Sequence, residues 1–352
     1  LSNMEELRNQ IKLLQLKGNE IVAITSFIDQ HCYTSSVLAD EFCDNYLSTN
    51  AVSIMENKDQ TRSFLSNMPY TPAFLLIEKD TKLPIASLPE KLNYPLIVKC
   101  SKSTGSKDVL FAANMDELQN NLSKLRKKNP EETLIIEEYI EGEQYLVEVL
   151  VSNGQIFTAA IIKQEITKGK RFIVTGYGVL AEVDADLVKS IGEIQNSIVS
   201  SLKIKNGTFH LELRLTKTGW KLIEINPRIS GGAMNKMIQT AFGYNLVKET
   251  LKLQIGDTPS IEKQKNKFVF TQYVIVNNSG VLEKVTGKEK ARKSPGVVEV
   301  YVKPRKGTTI TPPLSMGHRY AYVIATGDTM EEAQSVAKKA AQEIKFHIKK
   351  DV

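Results

Sequence analysis

Apolar positions recur at helical spacing through "MEELRNQIKLLQLKG", close up into the short run "EIVAITS", and return to helical spacing through Leu38 and Phe42. The three- and four-residue spacing predicts a helix on either side, and the compact apolar run predicts a buried strand between them. Helix, strand, helix is a fragment of a parallel α/β layer, short for a complete nucleotide-binding fold. With Leu1 rather than Met in first place, the natural start is expected to lie upstream.

Pro84, Pro89 and Pro95 then break the periodicity and mark a connection. Beyond them the pattern reads strand ("PLIVKCS"), small-residue loop ("KSTGSKD"), strand ("VLFAA"), helix ("MDELQNNLSKLRKK") and strand ("TLIIEEYI"), a compact α+β module. Asn114 or Asp116 can cap that helix. Period-two alternation resumes in "YLVEVLVSNGQIFTAAII", where Asn153-Gly154 signals a tight hairpin. A helix ("DLVKSIGEIQNSIVSSL"), a second hairpin and a helix near "NKMIQTAFG" follow. A lysine-rich link past Thr258 leads to a β-rich tail and a last helix that opens on the capping box Thr329 and Glu332. Four units are expected, at 1–83, 84–142, 143–258 and 259–352, in a mixed α/β and α+β chain.

The second hairpin, "LELRLTKTGWKLIEINPR", poses a chemical problem. A three-residue loop, Lys217-Thr218-Gly219, sets Thr216 opposite Trp220, Arg214 opposite Leu222, Glu212 opposite Glu224 and His210 opposite Asn226. The other face, including Leu211, Leu213, Ile223 and Ile225, is apolar. Opposed carboxylates have Cβ atoms about 4.5–5.5 Å apart and repel unless something positive lies between them. Hard oxygen donors from Glu212, Glu224 and the amide of Asn226 suit Mg²⁺ or Mn²⁺ completed by substrate phosphates.

Charge adds one constraint. The net +6 comes from 46 basic and 40 acidic residues spread along the chain. Stacked basic–aromatic runs are missing, which argues for a basic phosphate cleft rather than a nucleic-acid surface. Cys32, Cys43 and Cys100 have neither metal-ligand spacing nor an even count, so a reducing, cytoplasmic setting is expected. No apolar run reaches the ~18 residues of a membrane span. His210, His318, Cys100 and Trp220 read as structural.

The hairpin "HLELRLTKTGWKLIEINPRISGG" resembles the metal-binding hairpin of the ATP-grasp superfamily, with its Glu, a second Glu twelve positions on, an Asn and an Arg. "YPLIVKCSKSTGSKDV" is similar to that family's lysine strand and phosphate loop, "LIIEEYIEGEQY" to its adenine hinge, and "NKDQTR" to the segment carrying its first phosphate lysine. The tail resembles that of the carboxylate-amine ligases, L-amino acid ligases among them. The resemblance implies an ATP-grasp fold with a truncated Rossmann-like N-terminal domain, a small lid and a C-terminal α+β subdomain. It implies that Lys58, Lys99, Ser103, Gly105 and Ser106 meet the ATP phosphates. Glu137 or Glu138, with the backbone of Tyr139 and Ile140, would meet adenine, and Glu143 or Gln144 the ribose.

Arg228 and the amides of Ser230, Gly231 and Gly232 would hold a substrate carboxylate. The implied reaction activates that carboxylate as an acyl phosphate and joins it to an amine, with ATP and Mg²⁺ as cofactors and small-molecule substrates. A homodimer is admitted, and specificity is expected in 163–178 and the tail. Two other readings stand beside this one: a bicarbonate-activating carboxylase, and a nucleotide-binding module without catalysis.

Overall fold

Four helices open the chain in the computed structural model: α1 (Met4–Leu16), α2 (Asp29–Phe42), α3 (Thr49–Glu56) and α4 (Lys58–Phe64). The structure describes residues 3–44, 47–81, 92–103, 105, 107–168 and 171–349. Asn3 and Ser48 cap α1 and α3 by accepting the amides of Glu6 and Ala51. The run "EIVAITS" is irregular rather than the expected strand. A strand is held by its neighbours, and this run joins none of the described sheets. The connection marked by Pro84 and Pro89 lies outside the described residues.

The small module consists of β1 (Phe74–Ile77), β2 (Leu96–Cys100), β3 (Val109–Ala112), α5 (Met115–Lys128) and β4 (Leu134–Glu138), the last four in the expected order. Its antiparallel sheet runs β1-β4-β2-β3, so it takes a strand from the segment assigned to the first unit. Asn114, not Asp116, caps α5, accepting the amide of Glu117 at 3.0 Å. Leu118, Leu122 and Leu125, at helical spacing, turn into the sheet.

Next come β5 (Glu143–Ser152), β6 (Gln155–Lys168), β7 (Phe172–Val179), α6 (Ala185–Ser201), β8 (Gly207–Thr216), β9 (Gly219–Asn226), α7 (Met234–Phe242) and α8 (Leu246–Gln254). The tail adds β10 (Phe268–Val274), β11 (Gly280–Thr286), α9 (Lys288–Arg292), β12 (Val297–Val302), β13 (Thr309–Ile310), β14 (Ala321–Gly327), α10 (Met330–Glu343) and β15 (Lys345–Lys349). One eight-stranded sheet, ordered β12-β14-β10-β7-β6-β5-β8-β9, joins tail and central strands. Val147, Val149, Phe209 and Leu211 pack from one face onto α3 and α6. Leu146, Leu150 and Val179 pack from the other onto α7. Among the described residues no helix is long and apolar enough to cross a membrane.

The β8/β9 hairpin reaches the expected pairing by another route. Glu212 faces Glu224 and His210 faces Asn226, but the turn is the two-residue Lys217-Thr218, which pairs Thr216 with Gly219. The Thr216 hydroxyl ties it down, accepting the Thr218 amide at 3.1 Å and donating to the Gly219 carbonyl at 2.7 Å. Arg214 therefore pairs with Lys221, and a bulge between Glu212 and Leu213 absorbs the extra residue, Ile223. Ile223, expected on the apolar face, instead lines the cavity beside Glu224.

Candidate active site

Three adjacent strands lay side chains out in rows. Gln144 on β5 faces Arg214 on β8; Leu146 faces Glu212, which faces Glu224 on β9; Glu148 faces His210, which faces Asn226. Gln144, Leu146, Glu212, Glu224 and Asn226 line a cavity of about 390 Å³ between this sheet and the small module. That is within the ~300–1,000 Å³ of ordinary ligand sites.

The two glutamates do meet, and their charge is only partly balanced. Lys58 Nζ lies 3.1 Å from Glu224 Oε1. Burial pushes Glu224 up, but Lys58 outweighs it and holds the carboxyl below its ordinary value. Among the described residues Glu212 receives only amide hydrogen bonds, from Gln144 at 3.1 Å and Gln164 at 3.5 Å. Burial first, and the Glu224 charge second, push it up to about 7. Among the described residues no group of three or more His, Cys, Asp and Glu gathers at one point. A two-carboxylate, acceptor-only set with one amide oxygen beside it, short of positive charge, fits a hard divalent cation whose remaining ligands are phosphates and water. Glu212, Glu224 and Asn226 would hold it.

The second lysine expected at the phosphates sits in a different environment. Lys99, at the end of β2, lies 2.7 Å from Glu137 Oε2, and Arg62 from α4 lies 2.7 Å from Glu137 Oε1. Burial pulls Lys99 down to about 8 against the attraction of Glu137. Glu137 is raised by burial yet held below its ordinary value by Arg62 and Lys99. Its carboxylate, one of the two expected at adenine, is therefore committed to two cations. Glu138 accepts the Ala73 amide at 2.9 Å. Arg62 is a residue sequence reasoning missed: 1% exposed, it also donates to the Ile223 carbonyl at the bulge, at 2.8 Å.

In the loop after β2, the Ser103 carbonyl accepts Lys58 Nζ at 2.7 Å, and Gly105, at φ +61°, accepts the Met316 amide from the tail at 3.2 Å. Ser106 lies outside the described residues. At the hinge the Tyr139 amide donates to the Pro95 carbonyl at 3.1 Å, and the Ile140 carbonyl accepts Arg214. Tyr139 stacks on Phe172 with ring centroids 6.0 Å apart, and Ile97, Val109, Ile140 and Phe172 give that end of the cavity an apolar lining suited to a purine. Of the two ribose candidates, Gln144 is buried and lines the cavity. Glu143 points away, to Lys163 and the Tyr145 hydroxyl.

Beyond β9, Arg228 lines the cavity with its guanidinium paired to Asp29, the first residue of α2 and another missed residue. The Ser230 amide, expected to face a substrate oxyanion, is instead donated to Glu148 at 3.1 Å. The donors assigned to that loop narrow to Gly231 and Gly232, both of which line the cavity.

Residues 92–236 match the ATP-grasp domain family, and residues 272–349 match the family described as L-amino acid ligase C-terminal domain 2. The L-arginine-specific L-amino acid ligase of Bacillus subtilis is 24% identical over 286 residues, covering 79% of this chain and 68% of that one. Dapdiamide A synthase of Enterobacter agglomerans is 22% identical over 231 residues, covering 59% of this chain and 52% of the other. The chain spans about half to two thirds of the length of the curated relatives it matches. The crystal structure of L-amino acid ligase from Bacillus licheniformis shares the fold at a TM-score of 0.83 and 21% identity, over 99% of this chain and 86% of that one. Residues 92–236 are therefore an ATP-grasp domain, residues 272–349 match the C-terminal domain of L-amino acid ligases, and the fold along the chain is the one seen in an L-amino acid ligase.

Proposed function

We propose that the chain is an ATP-dependent carboxylate-amine ligase that joins amino acids, or a similar small carboxylate and amine, through an acyl phosphate. The observation that carries this reading is the under-neutralised pair Glu212 and Glu224, opposed across β8 and β9 in a cavity that also holds Lys58, Lys99 and Arg228. The tail favours amide synthesis over bicarbonate activation, because its matched family is that of the L-amino acid ligases.

ATP would lie with its purine against Phe172 and Ile140, its ribose toward Gln144 and its phosphates on Lys58 and Lys99. A divalent ion on Glu212, Glu224 and Asn226 supplies neutralisation of phosphate charge when bound. Arg228 exchanges Asp29 for the substrate carboxylate, presenting its planar fork to two oxygens. One carboxylate oxygen attacks the γ-phosphorus and ADP leaves; the amine nitrogen then attacks the acyl carbon and phosphate leaves. The Gly231 and Gly232 amides and the Arg228 guanidinium are the donors for the oxyanion between those last two events. Water must be kept from the acyl phosphate, which the small module does by covering the cavity.

A phosphate-release screen over amino-acid pairs, with bicarbonate as a separate arm, tests the reading. Release that requires two organic substrates is expected. Full turnover by Glu224→Gln in Mg²⁺, or release with bicarbonate alone, overturns it.

A further inference from the structure

Glu148 is the third side chain in the cavity-facing row of β5, after Gln144 and Leu146, and it is 0% exposed. Among the described residues no Lys, Arg or His nitrogen forms an ion pair with it. Burying a carboxylate without an ion pair is expensive, and a leucine would fill the position at less cost. Its hydrogen bonds all go to one residue: the Ser230 amide donates at 3.1 Å to Oε1 and 3.3 Å to Oε2, and the Ser230 hydroxyl donates to Oε1.

On the neighbouring strand, directly opposite, His210 Nδ1 lies 2.8 Å from the Arg228 carbonyl. A carbonyl only accepts, so Nδ1 carries the proton. The pair Glu148 and His210 thus grips both ends of the three-residue segment 228–230. The other ties of Arg228 are its amide to the Asn226 carbonyl at 2.8 Å and its guanidinium to Asp29 and to the Ile229 carbonyl.

We propose that Glu148 and His210 form a two-point clamp on the 228–230 backbone, with Glu148 acting as a positioning residue that aims Arg228 and the Gly231 and Gly232 amides. The consequence for catalysis rests on the reading of Arg228 as the substrate-carboxylate holder; the clamp itself does not. Glu148 touches neither nucleotide nor reacting atoms in this arrangement, so its loss should spare ATP binding. Gln keeps an acceptor oxygen for the Ser230 amide, so it should rescue part of what Leu removes.

Hydrogen exchange followed by mass spectrometry on the full chain tests the clamp without any assay of turnover. In Glu148→Leu the peptide covering 228–234 should exchange at least ~10-fold faster than in wild type, with Glu148→Gln in between, while peptides covering 58–64 and 96–103 stay unchanged. Ser230→Ala should accelerate the same peptide, and it carries the test with Glu148→Gln if the leucine variant does not fold. Steady-state kinetics supply the second arm: Glu148→Gln should lower kcat ~10-fold or more and raise KM for the carboxylate, with KM for ATP unchanged. Wild-type exchange at 228–234 in folded variants overturns the clamp, and so does a parallel rise in KM for ATP. Absence of wild-type turnover in every substrate pair would fail the ligase reading alone, leaving the exchange result to decide the clamp.

Discussion

Two buried charge clusters face each other across the cavity, and they are built on opposite principles. Around Glu137, Lys99 and Arg62 supply two cations to one carboxylate, so the cluster is satisfied from within. Around the β8/β9 pair, Lys58 is the one ion-pair partner among the described residues for two carboxylates, and Glu212 is left with amide donors. A self-sufficient cluster holds structure and orients Lys99; a deficient one asks for positive charge from outside. The distinction separates a structural ion network from a ligand site without reference to any relative.

Replacing Glu137 by Leu should be the most damaging change, because it strands two buried cations. A loss of about 3–5 kcal/mol in denaturant unfolding is expected. A loss under about 1 kcal/mol would erase the contrast between the clusters.

Glu212→Gln should act in the reverse sense. Ligand-free stability should hold or rise by about 1 kcal/mol as the repulsion is relieved, while ATP-dependent turnover falls on the order of 10²-fold or more. Chemical denaturation and phosphate release on the same preparation would read both, and a variant that loses stability and activity together would make Glu212 a structural group.

Burial pushes Glu148, like Glu212, up to about 7, whereas an unfolded chain titrates its glutamates near ~4.3. Folded protein therefore keeps protons that unfolded protein has released. The stability from each such group is full below ~4.3 and is lost as pH rises toward about 7. Stability of Glu148→Gln relative to wild type should accordingly increase between pH ~5 and ~8. A difference that is flat across that window would mean Glu148 is ionised throughout.

The smallest effect separates the two ribose candidates. Gln144→Ala should weaken nucleotide binding roughly ten-fold by titration calorimetry. Glu143→Gln should leave both affinity and stability within about 0.5 kcal/mol of wild type, since its pair with Lys163 is exposed. Equal effects would return the question to where the sequence leaves it.

What the sequence revealed follows the range of the interaction. Alternation with period two is a local signal, so the opposition of Glu212 and Glu224 could be read from it. The route was not legible, because an extra residue in the turn or in a bulge shifts the far end of the hairpin equally. "EIVAITS" has the composition of a strand, but a ladder requires a partner that composition does not supply. Arg62, Asp29 and Glu148 escaped notice because each meets its partner, Glu137, Arg228 or Ser230, from 75 or more positions away. No spacing rule covers such distances. The tail's share of the large sheet was hidden for the same reason.

That share has a practical consequence. With β10 laddered onto β7, the tail is not an appendage that can be trimmed or grafted freely. A core cut before β10 would bare the 176–179 half of β7 as an open edge, ready to pair with any extended chain. Exchanging tails between relatives would have to preserve the register that sets Thr271 against Tyr177, or the far half of the sheet would turn its oily side to water.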